Sequence, residues 1–166
     1  MLHLISVYTT CLVATYFIMR ALLPFFFVGK IENPFKHFTL SLLWIVPLSV
    51  AGYIVALNIP IEWLANRFMH GFCGGCMALF TCFLAYKDSK MRITRFQFAL
   101  FSFLVVTALG VGNEIMEFVF QNFTDAVFAD TINDTWFDLI SNTIGCLVAV
   151  IVLLPFLGPV EKSEQI

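Results

Sequence analysis

FQFALFSFLVVTALGVGNEIMEFVFQ, residues 96–121, decides the fold. At 1.5 Å per residue it is long enough to cross ~30 Å of hydrocarbon as a helix, and its unbroken apolar run lacks the alternation of a membrane β-strand. Its only charges are Glu114 and Glu117. A charged side chain at membrane depth costs roughly 2.5 to 3.5 kcal/mol on insertion scales, so partners or water must face these two acids.

The rest of the chain has the same character. It holds 166 residues, of which 60% are hydrophobic and 12% charged, with 20 phenylalanines and a mean hydropathy of +0.92. An average soluble domain is about 25% charged, so the composition describes an integral membrane protein. Four further apolar runs cover Leu4–Val28, Phe38–Leu57, Leu64–Tyr86 and Thr135–Leu157. Arg20 and Pro24 interrupt the first of these and mark Met19 as an alternative end. The expected architecture is all-α, a polytopic helical bundle of about five transmembrane helices, with residues 1–166 forming a single transmembrane domain.

Basic residues orient the bundle. Lys87, Lys90, Arg92 and Arg95 fill the third loop, which belongs on the cytoplasmic side, and with five spans Arg20, Lys30, Lys36 and Lys162 fall there too. Arg67 is left outside with the acidic fourth loop, so the N-terminus is outside and the C-terminus inside. The location expected is the plasma (inner) membrane. A formal net charge of -2, with the basic residues confined to membrane flanks, leaves no basis for nucleic-acid binding.

Depth then sorts the polar residues. Glu114 and Glu117 lie in the outer turns of the fourth span, and His70 in the outer third of the third. Asp134, Asp138, Ser141, Asn142 and Gly145 recur at spacings that share one face of the fifth. Three helices thus bring ionisable groups to one level on one side. Amides and hydroxyls alone would read as helix-to-helix glue, but clustered acids repel and desolvate, which favours a working pocket over packing. Gly71, Gly74, Gly75, Gly110 and Gly112 are expected to permit close packing beside it, the pair Gly71 and Gly75 at the four-residue spacing that brings helices together.

RFMHGFCGG, GVGNEIMEF and DTWFDLISNTIGCLVA, within residues about 65–150, resemble the YjdF-like membrane proteins, relatives of the VanZ-like group. The motifs carrying the resemblance are a His-Gly rich helix, an E-x-x-E helix and a final D-T-x-x-D-x-x-x-N-x-x-G helix. It implies His70, Glu114, Glu117, Asp134, Asp138 and Asn142 as the site residues, and activity on lipid head groups or lipid-linked cell-envelope precursors. VanZ-like proteins are linked with resistance to the antibiotic teicoplanin. One departure stands out: family members often carry Trp where this chain has Asn113.

Phosphodiester chemistry needs a base, for which His70 with a carboxylate partner qualifies, and positive charge on the phosphoryl oxygens. With acids outnumbering Arg67 on the outer side, a divalent cation such as Mg²⁺ held by Glu114, Glu117 and Asp138 would supply that charge. Membrane lipids and a lipid-linked substrate are the partners this reading implies. The competing class is a cation- or proton-binding module or transporter, and a third is a non-catalytic envelope factor. A transporter needs polar residues continuing inward, whereas MALFTCFLAY and CLVAVIVLLPFL, the inner halves of spans three and five, offer almost none. Cys73 and Cys76 form a C-x-x-C pair, which reads either as a redox or zinc element or, more plainly, as small apolar residues among glycines.

The orientation has a direct test. A cysteine introduced at Asn122 should react with an impermeant thiol reagent in intact cells, and one at Ser89 should react only after permeabilisation; reversed labelling would invert the assignment.

Overall fold

The computed structural model describes residues 2–27, 38–124 and 132–157, with side chains described from Ile5 onward. Lys30, Lys36, Asp125, Asp130 and Lys162, which entered the orientation argument, lie outside the described residues. Among the described residues, five helices are long and apolar enough to cross a membrane. They are α1 (Leu2–Phe26), α2 (Phe38–Leu57), α3 (Glu62–Ser89), α4 (Arg95–Phe123) and α5 (Ile132–Leu153), the last followed by a 3₁₀ turn, Leu154–Phe156.

The expected spans survive with shifted ends. α1 runs through Arg20 and Pro24 rather than stopping at Met19. Pro24 removes only the N–H that would meet the Arg20 carbonyl, and the Phe27 N–H still reaches the Leu23 carbonyl at 2.9 Å. Arg20 itself is buried inside the bundle, so its charge faces protein rather than lipid. The turn between α3 and α4 is compact. Lys90 ends α3 with φ of 50°, and Thr94 starts α4 with a capping box in which the Gln97 N–H donates to Thr94 Oγ1 at 3.1 Å and the Thr94 N–H to Gln97 Oε1 at 2.8 Å.

α3 is the axis of the bundle. Half of its most apolar window is buried (50%), against 22% for α4 and for α5, whose outer faces carry Leu100, Leu104, Ile115, Phe118, Ile144 and Ile151 to the lipid. Leu12, Tyr16, Met19 and Leu23 of α1 pack with Leu79, Cys82 and Phe83 of α3 and Ile45 of α2 to make the core. Trp44, Trp63 and Trp136 are exposed, as expected of interface anchors.

The sequence pattern did not disclose the centre of α3. Met69–Met77, MHGFCGGCM, winds as a π-helix. Such i→i+5 winding is rare, usually a single turn, and gathers at functional sites; here its three glycines remove the side chains that a widened turn would strain. The result is close backbone contact with α5. A Cβ on Gly145 would collide with the Gly71 carbonyl oxygen, and one on Gly75 would lie 2.7 Å from the Cys146 nitrogen. The expectation that Gly71 and Gly75 admit a neighbouring helix is met. Gly112 departs from it: a Cβ there meets nothing within 4 Å, because this residue faces away from the bundle.

Cys73 is buried, and the Cys76 thiol donates to the Gly145 carbonyl at 3.0 Å, tying α3 to α5 again. All five cysteines are free thiols.

Two outcomes follow from these contacts. Gly145→Ala should cost about 1 to 3 kcal/mol or more through overpacking and cut the yield of folded protein, whereas Gly112→Ala should leave the melting temperature unchanged or slightly higher. In the labelling experiment Ser89 is a poor reporter because it is buried with its hydroxyl on the Ala85 carbonyl, and exposed Lys90 in the same turn should carry the cysteine instead.

Candidate functional site

The π segment and the close α3–α5 contact place one polar cluster near the end of the bundle that holds Glu62 and Asp134. Asp138, buried on α5, is its hub. Its Oδ1 lies 2.9 Å from Arg67 Nη1 and 3.2 Å from His70 Nε2, and at the limit of a hydrogen bond it accepts from Asn66 Nδ2 at 3.5 Å. Arg67 also pairs with the Asp134 carboxylate and donates to the Asp134 carbonyl at 3.1 Å. Its guanidinium lies over the Phe137 ring, 5.6 Å from the centroid. One arginine therefore joins two turns of α5.

α4 supplies the remaining acids. Glu114 is buried, and its Oε1 has no hydrogen-bond partner among the described residues. His70, Glu114 and Asp138 each offer a ligand atom, and the three atoms lie within 4.8 Å of one another. One imidazole and two carboxylates at this separation suit a divalent cation, which would also satisfy the lone carboxylate oxygen. Glu117 is outside this trio. Its Oε1 accepts from Asn113 Nδ2 at 2.7 Å, so a neighbour one turn back on the same helix holds the second glutamate in place.

Asn142 lies one helical turn beyond Asp138, packed against Gly74 and Gly110, where side chains would crowd its amide. Its Oδ1 is buried without a partner among the described residues. Beside the cluster a cavity of about 290 Å³ is lined by Arg67, Phe68, Gly71, Phe72, Ile144 and Val148, among others: an apolar trough with an arginine in its wall.

Residues 2–158 match the profile of a family described as "Predicted membrane protein (DUF2238)". The chain belongs to that family. The match extends well beyond residues 65–150, on which the resemblance to YjdF-like proteins rests, and it establishes a membrane family without specifying an activity. Nothing among curated proteins or solved structures matches the chain significantly.

In this DUF2238 protein every expected site residue lies on α3, α4 or α5. His70, Asp134 and Asp138 join one another through Arg67 and direct contacts, and Glu114 faces His70 and Asp138. Glu117 is tied to Asn113, and Asn142 lies deeper. Arg67, Asn66 and Asn113 are the participants the sequence reading missed. The signal for Arg67 was present, since it is one turn before His70, but as the lone outer cation it counted towards topology and overall charge balance rather than as a partner of named acids.

Arg67 generates the prediction here. Arg67→Gln leaves two carboxylates facing each other without their cation and should lower stability by about 3 to 5 kcal/mol. Adding Asp134→Asn should restore part of that loss, because one of the uncompensated charges is gone; a double variant no better than the single would show that Arg67 acts through packing on Phe137 instead.

Proposed function

We propose that the polar cluster is the working site of a membrane protein that holds a divalent cation on His70, Glu114 and Asp138 and acts on lipid head groups or lipid-linked cell-envelope precursors, as the VanZ-like resemblance implies. The observation that carries this reading is the buried Glu114 carboxylate: its Oε1 has no partner among the described residues, and one of its oxygens lies within 4.8 Å of ligand atoms from two other helices. A carboxylate oxygen kept from both water and hydrogen-bond donors is unfavourable unless a cation faces it or a proton neutralises the group.

Charge supports the same choice of ligand. Glu114, Glu117, Asp134 and Asp138 outnumber Arg67, whose guanidinium already serves both aspartates. An anionic head group would be repelled by that surplus, and a bound divalent ion would offset it while polarising a phosphoryl oxygen. The apolar trough beside Arg67 has the chemistry to receive a lipid chain whose head reaches the cluster. His70 Nε2 lies 3.2 Å from Asp138 Oδ1, which puts the imidazole beside the carboxylate where it can serve as ligand or as base.

A second reading has its own observation. Arg67 pairs with Asp134 and Asp138 at once, which would also make a self-satisfied structural network in a non-catalytic envelope factor or cation-binding module. Isosteric variants separate the two. Glu114→Gln should leave the melting temperature unchanged or a few degrees higher, remove the stabilisation that divalent cations give, and abolish any effect of the protein on cellular lipid profile. His70→Ala should match it in cation response. Asp138→Asn should in addition lower stability by about 1 to 3 kcal/mol, because it removes a partner of Arg67. Unchanged lipid profile and cation response in both Glu114→Gln and His70→Ala would sink the proposal.

A further inference from the structure

A second polar cluster lies at the opposite end of the bundle, beside the basic turn that holds Lys87, Lys90, Arg92 and Arg95, and the reading above assigns it no role. It joins three helices. Asp88 of α3 accepts on Oδ2 from the Tyr16 hydroxyl of α1 at 2.5 Å and from the Ser41 hydroxyl of α2 at 2.5 Å. The Tyr16 oxygen in turn accepts from Arg20 Nη1 at 2.9 Å. Arg20, only 2% exposed, is thus linked to Asp88 through a hydroxyl.

That link uses one corner of the guanidinium. Nε and Nη2 are both buried, and neither has a hydrogen-bond partner among the described residues. These two nitrogens form the side-on edge of the planar group, whose parallel N–H bonds match two oxygens of one phosphate or carboxylate. Tyr16, locked between Arg20 and Asp88, fixes the plane of that edge, and its ring also lies 5.7 Å from the guanidinium carbon. A buried charged donor pair without an acceptor is strongly unfavourable. The edge is therefore preorganised for an oxyanion. Basic pockets between membrane helices on the positively flanked side are where anionic head groups dock, because the neighbouring lysines and arginines raise their local concentration.

We propose that the Nε–Nη2 edge of Arg20 binds a phosphate group at the basic end of the bundle, presented by an anionic phospholipid or by free inorganic phosphate. The site stands independently of the one proposed at the acidic end, since the two share no residue.

The test uses the full-length chain purified in a neutral detergent. Native mass spectrometry would count phosphatidylglycerol retained against phosphatidylcholine, and thermal melts would be run in nanodiscs of either lipid and, separately, in detergent with added inorganic phosphate. Wild type should retain phosphatidylglycerol selectively and melt higher with it. An equal shift from inorganic phosphate would identify the free ion as the ligand, and a shift confined to the lipid would identify the head group. Arg20→Lys keeps the charge and loses the two-pronged edge, so it should fold and bind roughly tenfold more weakly; Lys90→Gln, in the nearby turn, should weaken binding less than Arg20→Lys and keep the preference for phosphatidylglycerol. Undiminished selectivity in Arg20→Lys would assign binding to the basic turn and overturn the proposal, as would a wild type indifferent to both ligands. Glu32 is the chain's own nearby carboxylate in sequence. If Glu32→Gln reproduces the melting loss of Arg20→Lys in the absence of any phosphate, the edge belongs to that side chain and the proposal fails.

Discussion

The architecture depends on one close backbone contact, between the π-wound centre of α3 and the small-residue face of α5. Gly145 sits so close to the Gly71 backbone that a Cβ on it would overlap the Gly71 carbonyl oxygen, and a Cβ on Gly75 would overlap the Asn142 carbonyl oxygen. Without hydrophobic driving force between helices in lipid, such contacts supply association through dispersion and direct hydrogen bonds, including the Cys76 thiol to the Gly145 carbonyl. The same contact brings Arg67 and His70, one to two turns before its centre, level with Asp134 and Asp138 on α5. Site and packing are therefore one feature, and a change that widens the helix gap would loosen the ion pairs as well.

Charge is handled differently at the two ends. At the acidic end Arg67 bridges two aspartates directly, and the surplus is negative, with a buried Glu114 oxygen that has no partner among the described residues. At the basic end Arg20 and Asp88 are joined through a tyrosine hydroxyl, and the edge left over is cationic. Each end thus shows the sign opposite to the ligand it would take. The middle of the bundle is tied by weaker polar contacts, such as the Tyr8 hydroxyl on the Cys73 carbonyl at 2.7 Å and Thr9 against Ser49 at 3.0 Å.

The separation of the clusters bears on transport. A proton or ion path would need ionisable groups between the levels of Asp138 and Asp88. The described residues there include buried Thr81, whose hydroxyl returns to the Met77 carbonyl of its own helix, and buried Ser102. Neither carries charge.

Sequence by itself determined the helical membrane class, the five spans and the level at which His70, Glu114, Asp134 and Asp138 lie, because hydropathy and helical periodicity are local properties set by solvent and by 3.6 residues per turn. It also marked Gly71 and Gly75 as contact points, since small residues four apart have few other uses in a membrane helix. Only the tertiary structure decided the rest. The π winding of Met69–Met77 and its close fit against α5 are recorded by no pattern within α3. Which acids Arg67 neutralises, why Glu117 turns to Asn113, and why Arg20 faces protein rather than the membrane surface depend on the rotation of each helix about its own axis. That rotation follows from packing against neighbours distant in sequence, and so it lies beyond what a linear reading can reach.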